Sequence, residues 1–108
     1  MDLYKFRKEA QQYFLAPLRE ERDALRAESD LDQLLRTCVD NALATPGNLE
    51  RSFWLDTLVE TLRGISDDHE RERRYRSAAQ RIEATFVVPS RERHDAVRYV
   101  ADRLVPVT

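Results

Sequence analysis

The chain has 108 residues, 42% of them hydrophobic and 35% charged, with eighteen Lys and Arg against twenty Asp and Glu and a formal net charge of −2. That length suits one domain with a modest core, and the apolar share is too high for a disordered chain. The near balance of charge removes any global attraction to nucleic acid or an anionic membrane, and no apolar run approaches the ~20 residues of a membrane span.

In chain order, the first element starts in "MDLYKFRKEAQQYF", which has neither the continuous apolar segment nor the small-residue cleavage site of a secretory signal. The expected compartment is therefore the cytoplasm. Steps of ~100° per residue put Leu3, Phe6, Ala10, Tyr13 and Phe14 on one face, and Leu18, Ala24 and Leu25 prolong that stripe beyond Pro17. Pro17 lacks an amide donor and its ring clashes one turn back. It either kinks one long helix or opens a second helix as its first residue.

Ser29, followed by Asp30 and Asp32, is expected to cap a second helix with the stripe Leu31, Leu34, Leu35, Cys38, Val39, Ala42 and Leu43. Cys38 has no second cysteine to pair with, and its place in that stripe makes it a small packed hydrophobe. "TPGN" breaks the helix, and Asn48 is expected to cap a third that stops at Gly64. Ser66 is expected to cap a fourth, whose apolar positions Tyr75, Ala78, Ala79, Ile82 and Phe86 begin only after two turns. "VVPS" ends it, and Ser90 is expected to cap a last helix carrying Val97, Val100, Ala101 and Leu104. The expectation is one all-α domain over residues 1–108, a small bundle of four to five helices.

Catalytic and cofactor motifs are missing. Gly47 and Gly64 belong to no phosphate-binding loop. His69 and His94 lack the spacing of a helical metal motif and sit in charge-rich segments where a solvated histidine is the ordinary outcome. The expectation is no metal, no cofactor and no enzymatic activity.

The stretch "DDHERERRYRSAAQR" holds five arginines and resembles a phosphate grip. However, Asp67 precedes Arg71 by four residues, Glu70 precedes Arg74 and Glu72 precedes Arg76, which is the favoured order for ion pairs along a helix. Self-neutralised arginines release few counterions on meeting a polyanion. A nucleic-acid reading needs Arg73, Arg81, Arg91, Arg93 and Arg98 to gather from the last two helices, as a helix-turn-helix around "VVPS" would arrange them. Arginine also outnumbers lysine by sixteen to two, an excess that a GC-rich genome produces without function.

The third helix, "NLERSFWLDTLVETLRG", carries its main stripe on Leu55, Leu58, Val59 and Leu62, continued by Ile65, with Trp54 near the edge. Leu49 and Phe53 fall on roughly the opposite side, one turn apart. Tyr4 and Leu15 are similarly off the stripe of the first helix. Two explanations compete: a neighbouring helix covers Phe53 within the bundle, or Tyr4, Leu15, Leu49, Phe53 and Trp54 form a protein-binding surface. A first helix of 26 residues spans ~39 Å, more than a compact five-helix domain needs. The expectation is therefore a small regulatory or adaptor protein that binds protein, as a homodimer or by masking a partner's surface.

Overall fold

The computed structural model describes residues 3–45 and 47–104, with side chains from residue 12 onward. Five helices, α1 (Leu3–Glu28), α2 (Leu31–Ala44), α3 (Asn48–Arg63), α4 (Asp68–Glu83) and α5 (Ser90–Leu104), account for all regular structure among the described residues. Of the two readings at Pro17, the chain adopts the single helix: α1 runs through the proline without a break.

The helix starts differ from expectation by one residue each, and capping chemistry explains two of the shifts. Asp30, not Ser29, caps α2, because its extended backbone lets Oδ1 accept from the Gln33 amide at 2.8 Å. Asp67, not Ser66, caps α4 and accepts from the amides of His69 at 2.9 Å and Glu70 at 3.2 Å. A carboxylate answers the positive helix end better than a hydroxyl does. Asn48 is the first residue of α3 rather than its cap; Gly47 holds that position without a side-chain bond. Ser90 likewise lies inside α5, where the Pro89 carbonyl accepts from the Arg93 amide at 3.1 Å.

Ion pairs between helices reveal the topology. Asp32 meets Arg74 and Asp40 meets Arg81, so α2 and α4 run in the same direction. Arg51 meets Glu92 and Asp56 meets Tyr99, so α3 and α5 are parallel too. Arg22 lies over Phe53 and Arg26 meets Glu60, which aligns α1 with α3. The short connections then make α1, α3 and α5 run one way and α2 and α4 the other.

At the centre, α3 packs against all four other helices. Leu55, Leu58, Val59 and Leu62 meet Leu34, Leu35, Cys38, Val39 and Ala42 of α2, Ala78 and Ile82 of α4, and Ala96 and Val100 of α5 in one buried cluster. A helix enclosed on several sides has no wide polar face, which is why apolar residues occur off its main stripe. Thr57, buried in the same helix, satisfies its hydroxyl by donating to the Phe53 carbonyl at 3.0 Å.

Candidate interaction surface

α1 covers the off-stripe side of α3. The Arg22 guanidinium lies 5.3 Å from the Phe53 ring centroid, and the Trp54 ring meets Phe53 edge-on at 5.3 Å and 88°. Phe53 is half-buried and packs on the core, while Trp54 is only 2% exposed and belongs to it. Of the five residues expected to form a partner surface, these two therefore serve the bundle interior. Leu49 is 37% exposed, Leu15 is half-buried, and the side chain of Tyr4 lies outside the described residues.

The same contact shows where α1 leaves the bundle. Phe53 is five residues, or ~7 Å, beyond the start of α3, so α1 passes the level of Asn48 near Pro17. Leu18 and Leu25 are the α1 residues that pack on the core. The turns before Pro17 project past the end of the bundle by about 20 Å at ~1.5 Å per residue. The molecule measures 50 × 34 × 31 Å, with a radius of gyration of 14.8 Å against ~13 Å for a compact chain of this length. Tyr13 and Phe14, expected in the apolar stripe, are 86% and 50% exposed on this projection. The helix has run out of bundle to cover them.

The end that α1 overshoots is the one where α3 and α5 begin and α2 and α4 stop. Leu49 and the α4–α5 turn lie there. Phe86, expected within the fourth helix, instead follows its last turn, and Phe86 and Val87 are 83% and 93% exposed. Arg93 stacks over the Phe86 ring at 5.2 Å and donates to the Glu83 carbonyl, which ties the turn to both helices.

The arginines of the nucleic-acid alternative are mostly committed elsewhere. Arg73 donates to Glu70 at 2.7 Å, which raises its pKa further through that hydrogen bond and charge. Arg81 makes two 2.8 Å bonds to Asp40 of α2. Arg74 is shared by Glu70 and Asp32, Arg76 pairs with Glu72, and Arg98 lies 4.0 Å from Asp102. Arg71 pairs with Asp68 at 2.8 Å rather than with Asp67, whose carboxylate is used as the cap. Arg91 has no such partner among the described residues. A groove of about 300 Å³ between α2 and α4, lined by Arg36, Arg74, Arg81 and Ser77, is bordered by these satisfied pairs.

Cys38 is fully buried, and burial raises its thiol from the ordinary 9.0 up to about 11, opposed by the nearby Arg26 charge. A thiol protonated at neutral pH and hidden from solvent is a poor nucleophile. Because the folded state holds this proton more tightly than the unfolded chain, the resulting stability is present below pH 9.0 and is lost as pH rises toward about 11. The expected result is a urea midpoint that falls between pH 8 and 10 in the wild type and falls less in Cys38→Ala. Equal slopes in both proteins would place the alkaline sensitivity elsewhere, for instance in Tyr99, which burial and its 2.6 Å bond to Asp56 also shift upward.

No group of three or more His, Cys, Asp or Glu side chains among the described residues is arranged to hold a metal ion, and no described helix is long and apolar enough to cross a membrane. The chain matches no protein-family model, no curated protein and no solved structure.

Proposed function

We propose that this chain is a small, non-enzymatic regulatory protein that acts by binding protein, and that it does so as a homodimer. One observation carries the reading: a helix that leaves its own bundle displays Tyr13 and Phe14 to solvent. Large exposed aromatics set among charges are the composition of protein interfaces, because burying them against a partner removes much apolar area from water. Leu15 and Leu49, expected from the sequence as partner contacts, lie close to the same end of the molecule.

Light scattering provides the test. The wild type is expected at twice 12.7 kDa, and Phe14→Glu at 12.7 kDa with unchanged helical circular dichroism. Phe14 suits this experiment better than Phe53, since a charge at Phe53 would also disturb the packing of α1 on α3. A wild type that stays at 12.7 kDa over the micromolar range would reject the homodimer.

A further inference from the structure

We infer that two copies pair end to end, each projecting α1 lying antiparallel to the other's and reaching over the partner's α4–α5 turn. This inference rests on the homodimer reading and specifies its surface. The occupant is a second copy, on three grounds.

The first ground is direction. A continuous helix cannot fold back, so the projecting turns of α1 point away from the end they leave. Phe86 and Val87 at that end receive no cover from their own α1. A copy related by a two-fold axis brings its α1 over them from the opposite direction, and each copy then gives and receives the same contact.

The second ground is charge. Residues 3–16 carry Lys5, Arg7 and Lys8 against the single acid Glu9. At the bundle end, the carboxylates Glu50, Glu83 and Asp95 have no ion-pair partner among the described residues, and Arg91 has none either. The antiparallel arrangement brings the basic segment of one copy within reach of these free carboxylates of the other, whereas two parallel projections would set like charges side by side.

The third ground is area. Covering Tyr13, Phe14, Leu49, Phe86 and Val87 in both copies removes on the order of 1,300 Å² from water, within the range of stable interfaces. Neither the projections nor the turns reach that figure alone.

The experiment compares full-length Val87→Glu and Phe86→Glu with Leu31→Glu, an exposed apolar position at the opposite end of the bundle, by sedimentation over a concentration series. Val87 is a mild site for a charge because it is almost wholly exposed, and Phe86→Glu is the second variant should the turn itself be disturbed. The expected result is a dimer dissociation constant raised at least roughly tenfold by either turn variant, unchanged by Leu31→Glu, and raised several-fold by added salt. A dimer indifferent to both turn substitutions overturns this placement while leaving the homodimer reading intact. A wild-type chain that remains monomeric removes both.

Discussion

Trp54→Ala is expected to lower the unfolding free energy by ~3–5 kcal/mol, the usual loss when a large buried aromatic is truncated. Trp54 sits on the helix that touches all the others, buried with its ring edge-on against Phe53, so its truncation opens a cavity in the core. Domains of this size hold only ~5–15 kcal/mol in total, and the variant should be close to unfolding at room temperature. Phe53→Ala is the informative companion. Phe53 is only half-buried, at the edge of the core under Arg22 of α1, so its truncation should lose about half as much. Urea unfolding followed by tryptophan fluorescence for Phe53→Ala, and by circular dichroism for Trp54→Ala, measures both. A loss below ~1 kcal/mol for Trp54→Ala would mean that α3 is not the central element.

Pro17→Ala is expected to change the molecule in the other direction. An interior proline forfeits the bond its amide would make to the Tyr13 carbonyl and strains the turn before it, a penalty of ~3 kcal/mol. The unfolded chain gains freedom when proline is removed, which returns ~0.4–1 kcal/mol, so a net gain of about 2 kcal/mol remains for the helix. Because Pro17 sits where α1 leaves the bundle, that gain should strengthen the projecting turns more than the docked half. Hydrogen exchange at residues 12–16 should slow by roughly tenfold or more, with core amides in α3 little changed. Unaltered exchange in the projection would show that the turns before Pro17 are not limited by this residue. The α1 side chains that pack on the core among the described residues, Leu18 and Leu25, both follow the proline.

The helices themselves were legible in the sequence because a 3.6-residue apolar period and helix-ending residues are local properties. Cys38 in the stripe of α2, the interruption at "TPGN" and the self-pairing of Glu70 with Arg74 and Glu72 with Arg76 all follow from spacing along one helix. Caps were legible only to within a residue, since Ser29 and Asp30, or Ser66 and Asp67, offer competing acceptors. The backbone angles of the folded turn decide between them.

What the sequence could not convey is which side of each helix meets a neighbour. Phe53 and Trp54 were candidates for a partner surface because a periodicity argument treats a helix as having one buried face, and α3 has several. Tyr13, Phe14 and Phe86 belong to apolar stripes by spacing, yet they are exposed: the bundle ends before Tyr13 and Phe14 on α1, and α4 itself ends before Phe86. Periodicity identifies a face but not how far along the helix a partner extends. Arg81 shows the same limit for charge: no acid precedes it by four residues, and its partner Asp40 is 41 positions away on another helix. Composition and local spacing by themselves determined that this chain is helical and without a recognisable catalytic motif. Only the packing of five helices of unequal length decided which apolar residues remain in water, because exposure depends on where neighbouring helices end.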